Sequence, residues 1–245
     1  MKNNLLFFIC ITLSLNIWSQ NNIQGIVTYQ KEKLNAIYTE DKKEKLGVKK
    51  YTKFSKLEKT TKKAHKSLKF YLKFNEQKSL FNVQDLMNTP KDKFLKFSIG
   101  SEGKGIYYNS VTERLREKNT FGEVFIIKYN RLKWELKNTS KKIGNYTCFK
   151  AETIEKVKTR NGFKEYKIEA WYAPEINVSF GPIGFSGTPG LILELERNGI
   201  KYFATSITLN PQKEVIVNKP NKGKVITEEQ YRNMLIKARK EFKEL

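Results

Sequence analysis

One histidine and two cysteines are the whole stock of imidazole and thiol chemistry in these 245 residues. A zinc site draws three or four ligands from Cys, His and carboxylate. His65 and Cys148 stand far apart, so no metal centre is expected. The acids are scattered among lysines, without the spacing of a calcium loop. No glycine-rich loop of the P-loop or dinucleotide-binding type occurs, and no cofactor is expected. A Ser-His-Asp or Cys-His site would have to recruit His65, which sits in a lysine-dense run. Gly184-Phe185-Ser186-Gly187-Thr188 lacks the final glycine of a nucleophile elbow. No catalytic residue is therefore assigned, and a non-enzyme is expected.

Long apolar runs are also scarce. The one that stands out, Leu5–Leu15 behind Lys2, has the length of a leader's apolar region and is too short to span a bilayer. Residues 1–19 are expected to be a signal peptide, with the protein exported to the periplasm, the extracellular space or the outer membrane. Removing them leaves Cys148 as the sole cysteine, which excludes an intramolecular disulfide. It lies in the alternating run Tyr146–Lys150 and reads as a small buried hydrophobe. No Pro/Ser/Gly-rich linker interrupts the remainder, so 20–245 is expected to be a single domain.

Acids are outnumbered: 25 against 47 basic residues, a formal net charge of +22. Only seven of the basic residues are arginine. Specific base recognition favours the planar arginine fork, so a specific nucleic-acid partner is not expected. The lysine excess is densest over 41–66, where eleven lysines face three acids. Leu46, Tyr51, Phe54, Leu57, Thr61, Ala64 and Leu68 recur there every three or four residues, predicting an amphipathic helix. Its basic face, with Lys49, Lys50, Lys53, Lys56 and Lys63, is the candidate contact with an anionic surface.

From Leu68 the apolar period becomes two. Strands are predicted at 24–30, 68–74, 79–83, 94–99, 105–109, 112–118, 123–129, 133–138, 146–156, 163–172, 190–196, 201–209 and 214–217. Helical periods between them are nearly absent, which argues against a doubly wound fold. Thr227 and Gln230 form a capping box ahead of the apolar positions Tyr231, Met234, Leu235, Ala238 and Phe242. The fold class is therefore mainly β: a large curved antiparallel sheet, or half-barrel meander, with an early basic helix and a C-terminal helix. Helices laid over its concave face would enclose an apolar cavity.

The most distinctive stretch is Trp171–Leu195, where Gly181, Pro182, Gly184, Gly187, Pro189 and Gly190 precede the apolar run Leu191–Leu195. Glycine permits positive φ and close backbone approach, and proline fixes φ, so this cluster specifies one backbone shape. The segment Phe185–Glu196, FSGTPGLILELE, together with AWYAPEI, SFGP and the upstream KKIGNYTCFKAE, resembles the GLPGLI family (Porph_ging) of exported Bacteroidetes-type proteins. Two positions depart from that family's pattern. Its Gly-Leu-Pro-Gly reads Gly187-Thr188-Pro189-Gly190, and Asn177 follows Ile176 where proline is common. The resemblance implies an exported envelope protein without an assigned reaction.

Aromatic residues crowd the same stretch. Trp171, Tyr172, Phe180, Gly181, Pro182, Phe185, Gly187, Pro189 and Gly190 are the candidate residues for a ligand or partner. They are pictured as a rigid rim that binds a lipid, a glycan or a peptide, or docks on an outer-membrane protein. The expected function is a non-enzymatic binder or carrier of a hydrophobic or amphiphilic ligand. One alternative is an extracellular hydrolase built on carboxylates alone, using Glu165, Glu169, Glu175, Glu194 or Glu196. The other is a cationic surface-binding module working through 41–66.

Overall fold

The computed structural model describes residues 23–34, 38–84 and 105–244. The expected leader and the predicted strand at 94–99 lie outside them, as does the side chain of His65. Twelve strands form one sheet: β1 (Gly25–Lys33), β2 (Phe70–Phe74), β3 (Lys78–Val83), β4 (Ile106–Ser110), β5 (Arg114–Thr120), β6 (Glu123–Lys128), β7 (Glu135–Ile143), β8 (Tyr146–Thr159), β9 (Gly162–Ala173), β10 (Leu191–Arg197), β11 (Ile200–Leu209) and β12 (Lys224–Thr227). Their order across the sheet is β12-β6-β5-β4-β3-β2-β1-β11-β10-β9-β8-β7. Every neighbouring pair is antiparallel except β12, which lies parallel to β6.

The helices are α1 (Asp41–Leu46), α2 (Val48–Ser67) and α3 (Glu228–Glu244). Gly47, at φ +74°, breaks the basic segment into α1 and α2. Tyr38 stacks on Phe54 at 5.3 Å, and Glu58 accepts bonds from Lys33 Nζ at 2.8 Å and the Tyr38 N–H at 3.1 Å. These ties hold α2 beside β1. Leu57, placed by its spacing on the apolar stripe, is 43% exposed. The capping box forms as the sequence indicates: the Thr227 N–H donates to Gln230 Oε1 at 2.9 Å, and the Gln230 N–H donates to Thr227 Oγ1 at 3.2 Å.

Strand alternation divides the residues between two faces. Val27, Tyr29, Phe70, Leu72, Phe74, Phe81, Ala151, Ile168, Ala170, Leu195 and Tyr202 are buried together in the main core on the inner face. Because β1–β3 and β8–β11 bury side chains in the same core, the sheet is curled around it, as such a wide sheet must be. The outer face of β4–β6 carries a smaller cluster of Tyr108, Leu115 and Ile126, covered by Val215 and Val217. The strand predicted at 214–217 is absent: that segment is irregular and supplies side chains rather than ladder bonds. The twelfth strand is instead β12, at Lys224–Thr227.

Candidate functional site

The segment between β9 and β10 folds inward. Its backbone is pinned by N–H bonds from Gly187 to Ser179 O at 3.0 Å, from Ile192 to Phe180 O at 2.9 Å, and from Leu191 to Ile176 O at 3.0 Å. A single 3-10 turn, Pro182–Gly184, follows Gly181. Within it Ile183 adopts φ +46°, an uncommon conformation for a β-branched residue and a local store of strain. Gly184 has φ +78°, and a Cβ there would lie 2.9 Å from Tyr107 Cδ1 on β4. Thr188, where the resembled pattern has leucine, is fully buried and donates its hydroxyl to Gly190 O at 2.8 Å.

Of the nine candidate residues in this stretch, seven are buried, and only Gly187 and Pro189 are exposed. The loop fills the inside of the curled sheet and does not stand out as a rim. Trp134 braces it, donating Nε1–H to Ser186 O at 2.9 Å and packing edge-on against Phe185 at 6.3 Å. Trp171 donates to Glu169 Oε1 at 3.1 Å and lies under Lys141 Nζ, 4.2 Å from its ring centroid. Lys49, Lys50, Lys53, Lys56 and Lys63 are all exposed on α2.

Where the loop meets β4, β5 and β6, a cavity of about 210 Å³ opens. Its lining brings together Tyr107, Arg114, Arg116, Lys118 and Tyr129 from the β4–β6 side, Ile183, Gly184 and Phe185 from the loop, Glu155 from β8, Arg197 from β10 and Arg232 from α3. The expected apolar cavity is therefore corrected: the inside of the curl is filled by the core and the loop, and the cavity beside them is cationic and aromatic. The reason lies in the register of β5. Leu115 turns outward into the smaller cluster, so Arg114, Arg116 and Lys118 turn inward.

Arg114 donates Nε–H to Gly184 O at 2.6 Å and Nη1–H to Asn130 O at 3.2 Å. Its guanidinium carbon lies 4.9 Å from the Phe185 ring centroid and 5.4 Å from that of Tyr129. Burial lowers its pKa, and the Glu155 carboxylate offsets part of that effect. Arg116 packs over Tyr107 at 4.7 Å. It too is desolvated, yet the phenols of Tyr107 and Tyr129 and a hydrogen bond with Tyr129 hold its pKa above the ordinary value. Burial raises the Tyr129 phenol, opposed in part by Arg116. Across the cavity Arg197 Nε bonds Glu155 Oε2 at 2.7 Å and stacks 4.9 Å from the Tyr166 ring centroid. Arg232 binds Glu228 Oε1 through Nε at 2.9 Å and Nη2 at 2.7 Å.

Four of the five carboxylates named for a hydrolase, Glu165, Glu169, Glu175 and Glu194, are held elsewhere. Lys150 Nζ lies 2.7 Å from Glu169 and 3.0 Å from Glu152, and Lys141 Nζ lies 2.7 Å from Glu194. Glu165 faces Lys156 at 3.4 Å, and Glu175 accepts the Thr147 N–H at 3.1 Å. These are ion pairs and bonds across the strands, away from the cavity lining.

Sequence reasoning did not single out the arginines of the cavity. The signal was present in the alternation Arg114-Leu115-Arg116-Glu117-Lys118, which puts three cations on one face. Its meaning depends on which face is inside.

Residues 110–233 match the family described as N-glycanase peptide, N-terminal domain. The chain belongs to this family. The match overturns the resemblance to the GLPGLI family, which rested on the turn-forming glycines and prolines of a structural loop. It also overturns two further expectations: a non-enzymatic carrier of a hydrophobic or amphiphilic ligand, and a non-enzyme in general. A lipid ligand and an outer-membrane partner lose their support for the same reason.

The fold agrees with that of solved PNGF-II. A structure of PNGF-II in space group P21 is 16% identical, with 87% of this chain and 33% of that one covered at a TM-score of 0.50. A second structure, in space group C2, is 15% identical, with 87% and 32% covered at a TM-score of 0.48. The chain thus spans about a third of the length of the solved structures it matches. No curated protein matches it. Among the described residues, no helix is long and apolar enough to cross a membrane.

Proposed function

We propose that this chain takes part in the enzymatic processing of N-linked glycans, engaging the glycan of a glycoprotein at the cavity between β5, β10 and α3. The observation that carries the reading is a coincidence of position. The matched family segment, 110–233, contains every lining residue of the cavity except Tyr107. The reaction in question is hydrolysis of the amide bond joining the glycan to asparagine, in which water adds, aspartate remains on the peptide and the glycan leaves with the amide nitrogen.

The lining suits a carbohydrate. Guanidinium groups present planar arrays of donors to ring and hydroxyl oxygens, and Tyr107, Tyr129 and Phe185 supply flat apolar surface beside them. The strained turn at Ile183 keeps the loop side of the cavity in one shape, as a recognition site requires. We also propose an exported location, which suits a protein directed at glycoproteins and rests on the apolar run Leu5–Leu15.

The test uses the full chain with one N-glycopeptide and the same peptide stripped of its glycan. Binding and cleavage are followed by calorimetry and mass spectrometry. Retention of the glycopeptide alone, with conversion of its asparagine to aspartate, is the expected result. A chain that neither binds the glycopeptide in preference to the bare peptide nor releases its glycan overturns the reading.

A further inference from the structure

Four of the seven arginines in this chain converge on one cavity, although lysine makes up the rest of its 47 basic residues. Five cations line the space against one acid, Glu155. That acid is already bonded to Arg197 at 2.6 Å, and Arg232 has its own partner in Glu228. Arg114 differs from both. It is 8% exposed, and among the described residues its hydrogen bonds go only to the carbonyls of Gly184 and Asn130. No carboxylate lies within ion-pair distance of it there. A buried cation hydrogen-bonded to neutral acceptors is unfavourable, the Glu155 carboxylate offsets only part of that cost, and an anion brought into the same space offsets more.

The surroundings narrow the kind of anion. Phe185, Tyr129 and Tyr107 pack on the faces of Arg114 and Arg116, which leaves the N–H edges for hydrogen bonding. Those edges match oxyanions geometrically. A cavity of about 210 Å³ has the scale of a sugar substituent and the ring that bears it. We propose that this cavity is a subsite for an oxyanion substituent of the glycan, a sulfate, phosphate or carboxylate, held by Arg114, Arg116, Arg197 and Arg232. The proposal rests on the glycan reading above and names the class of glycan the site selects.

The experiment compares four forms of one N-glycopeptide with the full chain: neutral, sulfated, phosphorylated and sialylated. Inorganic sulfate and phosphate are tested alongside by thermal shift. At least one acidic form should bind about tenfold or more tightly than the neutral form, the value of one charge-assisted hydrogen bond. The acidic form preferred identifies the substituent. Arg114→Gln and Arg232→Gln should each remove the preference, weakening the acidic form at least about tenfold more than the neutral form. Circular dichroism checks the fold of each variant. Should Arg114→Gln not fold, Arg232→Gln on the face of α3 decides alone.

Equal binding of neutral and acidic forms overturns the oxyanion subsite and leaves the glycan reading standing. If no glycopeptide binds, while inorganic sulfate or phosphate still raises the Tm in an Arg232-dependent way, the glycan reading has failed, and with it the claim that the anion is carried by a glycan.

Discussion

Arg114 Nε lies 2.6 Å from the carbonyl oxygen of Gly184, seventy residues away in sequence. This bond joins a cation of β5 to the turn that follows Gly181-Pro182, and makes the loop part of the cavity wall. It also explains why so many glycines and prolines gather there. The chain has to reverse tightly inside a curled sheet and present a carbonyl to a guanidinium.

Gly190→Ala should destabilise the protein by about 3–5 kcal/mol. Its φ is +153°, and an added Cβ would meet Ala173 O at 2.3 Å and Ala173 C at 2.6 Å, both backbone atoms that cannot swing aside. Chemical denaturation of the variant measures the loss. A variant as stable as the parent would refute the tight approach of the loop to β9.

Glu155→Gln separates two roles of one side chain. Losing the carboxylate from a mostly buried pair with Arg197 should cost about 2 kcal/mol of stability. The same change removes the only acid lining the cavity, so inorganic sulfate should bind more tightly to the variant than to the parent. Denaturation and anion titration report the two effects independently. Weaker sulfate binding in a folded variant would contradict the electrostatic account of the site.

Cys148 should make the fold sensitive to alkali. Burial pushes its thiol up to about 11 from an ordinary value near 9, with Lys141 opposing part of the shift. The unfolded chain therefore releases this proton first. The contribution of Cys148 to stability is unchanged below about pH 9 and declines as pH rises from 9 to 11. Stability curves of the parent and Cys148→Ala should run parallel below pH 9 and draw together above it. Thiol reagents should modify Cys148 slowly in the folded protein and rapidly once it unfolds.

Thr227→Ala removes one half of the capping box at the junction of β12 and α3. The expected loss is about 1 kcal/mol. Because α3 carries Arg232 to the cavity, hydrogen exchange should show faster opening of the first turn of α3, while the strands of the main core stay protected.

Much of the fold was legible without coordinates. The runs at 105–109, 123–129, 163–172 and 190–196 are rich in apolar or β-branched residues and bounded by turn residues, and each became a strand close to its expected bounds. The capping box at Thr227 was equally plain, because it depends on two residues three apart. Two elements were misread because their determinants are distant. Glu214–Val217 alternates like a strand, but Val215 and Val217 cover the outside of β4–β6, and the Val215 N–H donates to the Gln24 side chain at 2.8 Å instead of to a ladder. Lys224–Thr227 is too short and polar to stand out, yet β6 offers it an edge in parallel register.

The sequence by itself determined the local order: which residues alternate, where the chain must reverse, where a helix is capped, and that arginine is rare among its cations. These features depend on backbone preferences and on neighbours a few positions apart. Only the tertiary structure decided which face of each strand is inside, and therefore that the cavity beside the apolar core, where the loop meets β4–β6, is cationic. Arg114, Arg197 and Arg232 come from three separate elements. Their meeting follows from the curl of a twelve-strand sheet and the inward fold of the Gly-Pro loop, and no local pattern encodes a distance between residues tens of positions apart or more.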